Sequence, residues 1–206
     1  QYNADNSAVN RSTAYQVRHQ GEQNGNQFEL RHDDTFFGLS TTWSGGFEYR
    51  VNSTTNNPLN VAGNSTVDPN NYDPGHFYDI PGTKPGFDPD KTNAVTTKAL
   101  FLENRLGLTD KLSLLTGLRY DAIDLEVTNH RDITASNPRH VKRSWEPVTG
   151  RIGLTYQFIP QANVYVQYST AAEQPSSTTQ VFDVSTGKQW EVGSKFDYMD
   201  GRGSAT

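Results

Sequence analysis

The chain of 206 residues contains no cysteine and one methionine, and only 33% of its residues are hydrophobic. The absence of cysteine excludes a disulfide scaffold and any metal or redox site built on thiolates. No apolar run approaches the roughly eighteen residues that a membrane-spanning helix needs, so a helical membrane protein is excluded. A mean hydropathy of −0.75 would suit a disordered chain, but disordered segments are poor in aromatic residues and this chain is 11% aromatic. We therefore expect a folded protein.

Basic residues are also scarce, since 18 Lys and Arg against 23 Asp and Glu give a net charge of −5. A nucleic-acid-binding protein normally shows a basic face, so no nucleic-acid partner is expected. The histidines show no metal-ligand spacing, and no glycine-rich loop precedes a helix as phosphate binding would require. We expect no catalytic residue, no metal site and no cofactor; the histidines are His19, His32, His76, His130 and His140.

Alternation of apolar and polar residues, which indicates a half-exposed strand, recurs along the chain. The clearest stretch is 189–198, where even positions are mostly apolar and odd positions are charged, polar or glycine. Similar stretches lie at 148–158, 112–121, 43–51, 28–31 and 15–18, with weaker strands near 96–108 and 164–170. The abundance of Gly, Asn, Thr and Ser between them favours turns. The pattern predicts an all-β antiparallel meander of about nine strands across residues 1–206.

The predicted connections alternate in length. Short ones lie at 109–111, 160–162 and 200–201; long ones lie at 52–93, 128–144 and 171–188. Short turns at one end and long loops at the other are typical of an outer-membrane β-barrel, whose strands need apolar residues only at every second position. We therefore expect part of a transmembrane barrel with an extracellular loop at 52–93. The absence of an initiating methionine and of a signal segment favours an internal piece of a longer protein.

The two faces of the predicted strands differ in chemistry. No amphipathic helix or second strand set is available to cover the apolar face, so we expect lipid to contact it. Glycine and charged residues share the other face, as in a water-filled lumen. Five residues are candidates to line that lumen: Arg119, Asp121, Arg151, Glu191 and Lys195. The alternative role for these five, which we favour, is cross-strand ion pairing within the wall.

Four stretches in order carry a family resemblance. Residues 108–121 end in Gly-Leu-Arg-Tyr-Asp and resemble a turn and strand in the barrel of TonB-dependent siderophore receptors. The stretch 149–157 followed by 164–169 resembles the next hairpin, and 190–197 the one after. Earlier, Trp-Ser-Gly-Gly-Phe-Glu-Tyr at 43–49 matches a strand of the same family. Each motif is weak alone, but their order and spacing are fairly specific.

The resemblance implies a function for the parent protein. It implies a barrel of about 22 strands with a plugged lumen, in the outer membrane of a Gram-negative bacterium, that imports ferric siderophores and is not an enzyme. Its partners would be the ferric siderophore, membrane lipid and TonB, which acts through a plug region missing here. The iron would be carried by the siderophore, so no cofactor is implied. With plug and closing strands absent, this piece is expected to be inactive alone.

The loop 52–93 supplies the candidate ligand contacts. Aromatic side chains give a large contact area at a low entropy cost, which points to Tyr72, His76, Phe77, Tyr78 and Phe87. Packing of the loop on itself is the alternative for each of them. A passive porin, a receptor for cobalamin or a glycan, and a soluble β-sandwich binding module with the apolar face inside remain open as other functions.

Overall fold

The computed structural model describes residues 7–11, 17–58, 65–71, 87–173, 183–198 and 202–205. Every regular element in those ranges is a β-strand, which confirms the all-β prediction. The strands are β1 (Val9–Arg11), β2 (Val17–Phe36), β3 (Leu39–Pro58), β4 (Ser65–Val67), β5 (Lys91–Gly107), β6 (Leu112–Asn129), β7 (His140–Trp145), β8 (Val148–Ile159), β9 (Ala162–Glu173), β10 (Ser185–Tyr198) and β11 (Gly203–Ala205). Within the same ranges there is no helix long and apolar enough to cross a membrane.

Nine of the eleven described strands form one sheet. Its order is β11-β10-β9-β8-β6-β5-β3-β2, and β7 also pairs with β6. Strands that follow one another in the chain are mostly neighbours, and the pairs β6–β8, β8–β9, β9–β10 and β10–β11 are antiparallel. The sheet is therefore the antiparallel meander that the sequence predicts. β1 and β4 form a separate two-stranded sheet.

The chain divides into two compact units. The first comprises Gln1–Glu22, Ser53–Ala94 and Glu126–Val141, and it contains the two-stranded sheet. The second comprises Gln23–Asn52, Val95–Leu125 and Lys142–Thr206. Its buried apolar side chains are few among the described residues: Val95, Ala99, Ile123, Leu125 and Ala162. Strand pairing rather than a large packed core therefore organises the second unit.

One face of the sheet in the second unit is apolar and exposed. The register aligns Leu114, Leu154, Val166 and Val192 in one row across β6, β8, β9 and β10. Val192 is 79% exposed, and the large apolar side chains at even positions of β8 are 40 to 65% exposed. A second sheet would bury these side chains, so the described residues form no β-sandwich over this side. We call it the apolar face, and the opposite side the polar face.

The predicted loop 52–93 is partly strand, so its predicted limits are wrong. β3 continues to Pro58 and β5 begins at Lys91. The end of β3 is rich in Asn and Thr, and its side chains hydrogen-bond to the backbone of β2: Asn57 Nδ2 donates to Arg18 O at 3.2 Å. Apolar alternation cannot reveal a strand that has no apolar face.

The same reason explains two other differences. β2 is one strand of 20 residues, although the sequence predicts two short strands, at 15–18 and 28–31. Its central residues 19–27 are polar on both faces and therefore give no periodic signal. β7, of six residues, lies within the predicted connection 128–144 and carries only Val141 and Trp145 as apolar side chains. The pairing of β7 with β6 identifies it as a strand, which its sequence pattern alone does not predict.

The turn between β2 and β3 is a feature that the sequence analysis missed. Its two central residues, Phe37 and Gly38, have φ of 50° and 80°. Positive φ at both central positions is the property of the type I′ hairpin turn, which favours Asn and Gly. Because a Phe-Gly pair is not the usual signal for this turn, sequence reasoning did not identify it.

Glycines on the polar face lie where large side chains from neighbouring strands extend over them. A Cβ at Gly117 would lie 3.1 Å from Arg151 Cγ and 3.3 Å from Glu103 Cγ. Arg151 on β8 and Glu103 on β5 form an ion pair, and β6, which carries Gly117, lies between those strands. Similarly, a Cβ at Gly193 would lie 2.6 Å from the ring of Tyr165. These glycines therefore provide the room in which the polar side chains meet.

This packing predicts that Gly117→Val is destabilising. The added side chain must displace the Arg151–Glu103 pair, and we expect a loss of about 1–3 kcal/mol in the free energy of unfolding, as for other overpacked sites. The control is Gly187→Val on β10, because a Cβ at Gly187 meets nothing within 4 Å. Urea unfolding measures both variants. Equal stability of the two variants would contradict the proposed role of Gly117.

Candidate functional site

The five charged residues predicted to line a lumen all lie on the polar face. Arg151 pairs with Gly117 of β6 and Ser169 of β9, and Glu191 pairs with Gln167 of β9. Arg119 and Asp121 of β6, and Lys195 of β10, are in phase with these positions, one residue out of phase with the apolar row. The structure thus brings the predicted residues to one side of the sheet.

Arg119 is the centre of the best-connected group on the polar face. Its Nε donates to both carboxylate oxygens of Asp121 at 3.0 Å, and its Nη2 donates to Glu48 Oε2 at 3.0 Å. Arg50 Nε lies 3.5 Å from Glu48 Oε1. β5 lies between β3, which carries Glu48, and β6, which carries Arg119. The ion pair therefore ties together two strands that are not neighbours in the sheet.

The ion pair between Arg151 of β8 and Glu103 of β5 also joins two strands that are not neighbours, because β6 lies between them. Next to these ion pairs, the Ser44 hydroxyl donates to Glu29 and so links β3 to β2. Together the contacts of the polar face extend from β2 to β8. Four strands of the wall, β3, β5, β6 and β8, are held by ion pairs as well as by backbone hydrogen bonds.

Glu191 and Lys195 have a different environment from the arginines. The Tyr165 hydroxyl donates to Glu191 Oε1 at 2.5 Å, and Lys195 Nζ lies 5.8 Å from the centroid of the Tyr165 ring. At that distance the ammonium group is within the range of a cation–π interaction. Tyr165, which the sequence analysis did not single out, therefore contacts both of the predicted lumen-lining residues of β10, Glu191 and Lys195.

A hollow of about 410 Å³ lies against the polar face. Its lining includes Glu29, Glu48, Glu103, Arg119 and Arg151. Arg151 Nε, which belongs to a lining residue, is buried and has no hydrogen-bond acceptor. The hollow therefore offers both donors and acceptors to a polar segment or ligand. In the described part of the chain no cluster of three or more His, Asp or Glu residues could hold a metal ion.

Of the predicted ligand contacts, Tyr72, His76, Phe77 and Tyr78 lie outside the described residues. Phe87 is described and is half-buried. The backbone next to it is held by Arg131, whose Nη2 donates to Asp88 O at 2.7 Å and whose Nε donates to Pro89 O at 3.3 Å. Arg131 therefore fixes the segment that carries Phe87, a role that its sequence context does not indicate.

Sequence reasoning also missed Trp145 of β7. Its Nε1 donates to Asp183 Oδ1 at 3.2 Å, which ties β7 to the connection before β10. Ser144, its neighbour, donates to Asp124 Oδ1 at 2.6 Å on the other side of the sheet. Trp145 therefore points to the side of Ile123 and Asp121. A single aromatic residue between polar neighbours carries no periodic signal by which it could have been found.

The Arg119 contacts predict that Arg119→Ala leaves Asp121 without its cation and leaves Glu48 paired with Arg50 alone. Asp121 is 8% exposed, whereas the Arg119 side chain is 33% exposed and is partly screened by solvent. We expect a loss of about 2 kcal/mol in the free energy of unfolding, typical of a hydrogen bond to a charged group. Arg119→Lys restores the charge but not the bidentate geometry and should recover only part of it.

Urea unfolding measures these variants. The control is Arg31→Ala, since the Arg31 side chain is 68% exposed and its ion pair with Asp33 should contribute little. An Arg119→Ala variant as stable as Arg31→Ala would show that the cluster does not hold the wall together.

Comparison with known proteins shows the family. The family model described as "TonB dependent receptor-like, beta-barrel" matches residues 1–206. The chain is 29% identical over 128 residues to the metal-pseudopaline receptor CntO of Pseudomonas aeruginosa, covering 58% of this chain and 18% of that protein. It is 24% identical over 125 residues to the probable TonB-dependent siderophore receptor PiuA of Acinetobacter baumannii, covering 54% and 17%.

A solved structure shows the same fold. FpvA of P. aeruginosa, in a complex with heterologous pyoverdine and iron, superposes with a TM-score of 0.68 at 19% identity, over 98% of this chain and 26% of that chain. The curated relatives are far longer than this chain, which covers 18% and 17% of their lengths. Since the family model matches along the entire sequence, the chain belongs to the TonB-dependent receptor family and is part of its β-barrel region.

Proposed function

We propose that the chain is part of the wall of an outer-membrane receptor of a Gram-negative bacterium, and that the receptor imports ferric siderophores with energy supplied through TonB. The observation that carries this proposal is the single sheet with one exposed apolar face and one polar, hydrogen-bonded face. A sheet that separates hydrocarbon from water needs an apolar face toward the hydrocarbon and a polar face toward the water. Membership of the TonB-dependent receptor family supports the same function.

The length of the apolar face supports contact with lipid. On β8 the apolar side chains at even positions run from Val148 to Phe158. At about 3.3 Å per residue and a tilt of about 45°, this stretch spans about 23 Å, close to the 25 Å height of the apolar band of outer-membrane barrels. Aromatic pairs also lie on the apolar face, as at Tyr168 and Trp190, whose ring centroids are 5.0 Å apart. Lipid is accordingly the partner of this face.

The polar face suits the water-filled and plugged interior of the receptor. Its residues Arg119, Asp121, Arg151, Glu191 and Lys195 line this interior and pair within the wall. The plug, which this chain does not contain, is the part that contacts TonB. No step of the proposed function makes or breaks a covalent bond, so the protein is a transporter and needs no catalytic residue or cofactor of its own.

The cargo is recognised by the loops. Phe87, with Tyr72, His76, Phe77 and Tyr78 in the same segment, provides the aromatic contact surface for the chelate, and the iron travels as part of that cargo. Arg131 supports this role for Phe87 because it holds the adjacent backbone in place. A chelate of another metal is the second candidate cargo, since one curated relative is named a metal-pseudopaline receptor.

The proposal predicts that Phe87→Ala weakens uptake of the cargo. Loss of one aromatic contact of the kind that dominates binding interfaces costs roughly 1–2 kcal/mol, or about tenfold in affinity. Uptake of radiolabelled ferric siderophores by cells that carry the full-length receptor measures the effect. Phe158→Ala, an aromatic truncation on the apolar face near the β8–β9 turn, is the matched control and should leave the affinity unchanged.

Three outcomes of the uptake assay would contradict or refine the proposed function. Uptake that persists in cells without TonB would contradict the energised receptor. Uptake of chelates of other metals, but not of iron, would identify the second cargo class. Normal affinity after alanine replacement of all five aromatic and histidine candidates, in a receptor made at the normal level, would remove the segment from cargo recognition.

A further inference from the structure

The turn between β2 and β3 presents an exposed aromatic pair. Phe37 is 90% exposed and Phe36 is 60% exposed, and their rings are in edge contact with centroids 4.5 Å apart. Phe37 has φ of 50°, a left-handed conformation that Gly or Asn adopts more readily. A large apolar side chain thus occupies a position whose backbone disfavours it and whose ring contacts little else in the chain.

The aromatic pair is continuous with the apolar face. Because Glu29 bonds to Ser44 on the polar face, alternation places Phe28, Leu30 and Phe36 of β2 on the apolar face. By the same alternation Leu39 of β3, in phase with Phe47, and Leu106 of β5, in phase with Leu102, are also on the apolar face near the turn end. Phe36 is therefore the edge of an apolar strip that continues along neighbouring strands.

Two polar pairs also lie on the apolar face, close to the turn. His32 Nε2 lies 3.8 Å from Asp34 Oδ2, and Asn104 Nδ2 donates to Thr41 Oγ1 at 2.6 Å. Paired polar side chains are tolerated close to lipid, whereas isolated ones are costly. Both polar pairs lie between Leu30 and the turn. Apolar side chains continue beyond them, at Phe36 and Leu39.

The neighbouring turn at the same end of the sheet has a different chemistry. β5 and β6 are joined through Thr109, Asp110 and Lys111, in which the Thr109 hydroxyl accepts hydrogen bonds from the backbone N–H of Lys111 and Leu112. Asp110 is exposed. A charged, self-bonded turn suits water, whereas the rings of Phe36 and Phe37 suit the boundary between headgroups and hydrocarbon, where aromatic side chains are favoured.

We infer that Phe36 and Phe37 insert into the lipid interface and anchor the β2–β3 hairpin at the turn end of the wall. The occupant of this aromatic surface is membrane lipid and not a protein. This inference rests on the proposed function, because it requires the apolar face to lie in a membrane. It adds a lipid contact made by the turn residue Phe37 together with Phe36, the last residue of β2. The inference assigns no such contact to the neighbouring β5–β6 turn.

Site-specific fluorescence quenching tests the inference. Since the chain has no cysteine, single Phe37→Cys, Asp110→Cys and Val192→Cys variants of the full-length receptor are labelled with an environment-sensitive dye. The receptors are reconstituted in phosphatidylcholine vesicles with nitroxide-labelled lipid or with aqueous iodide. We expect lipid quenching at position 37 to be several-fold stronger than at 110 and similar to that at 192, and iodide quenching to follow the opposite order.

Val192, in the row of the apolar face formed with Leu114, Leu154 and Val166, separates this inference from the proposed function. Lipid quenching at 192 but not at 37 would overturn the anchor and leave the membrane wall intact. No lipid quenching at 192 would overturn the membrane wall itself. Protection of position 37 from both quenchers would show that a protein covers the turn, and this would also overturn the anchor.

A pair of substitutions gives a second, independent measurement. Phe37→Asn suits the backbone of the turn but removes the ring, whereas Phe37→Trp keeps an interfacial aromatic group. We expect Phe37→Asn to match or exceed the wild type in thermal stability in detergent micelles, but to fold less completely into vesicles. Phe37→Trp should restore vesicle folding. If Phe37→Asn folds into vesicles as well as the wild type does, the anchor is overturned.

Discussion

In the proposed receptor, one sheet must satisfy two different solvents at the same time, hydrocarbon on one side and water on the other. On one side no water is available for hydrogen bonding, so the backbone must pair between strands and the side chains must be apolar. On the other side every charged group must find a partner or water. The period-two alternation of this chain meets both demands, and the register aligns it across β6, β8, β9 and β10.

The polar face shows how such a wall is strengthened from within. Arg119 reaches Glu48 across β5, and Arg151 reaches Glu103 across β6 above Gly117. Each tie joins strands that share no backbone hydrogen bond, so strand pairing and side-chain pairing reinforce each other. In the proposed receptor the same groups would also face the interior, where a plug and its cargo would meet them. One set of charged residues would then serve both stability and function.

Sequence alone predicts those parts of the fold in which one face is apolar. β8 and β10 follow directly from alternation, and the β5–β6 and β8–β9 hairpins follow from the short connections at 109–111 and 160–162. The polar centre of β2 and the Asn-rich end of β3 were not predictable, because hydrogen bonds alone define them. Glu103 was not identified because its partner, Arg151, is two strands away in the sheet and 48 residues away in the chain. The turn at Phe37 was not predicted because Phe-Gly is not the residue pair that a type I′ turn usually favours.

The central claim is that lipid contacts one face of the wall and that the interior lies on the other. A cysteine scan of β8 in the full-length receptor, one labelled position at a time from Val148 to Phe158, measures this contact through quenching by nitroxide-labelled lipid. The account predicts strong quenching at even positions and weak quenching at odd positions. Equal quenching at adjacent positions, or none at the even ones, would contradict it.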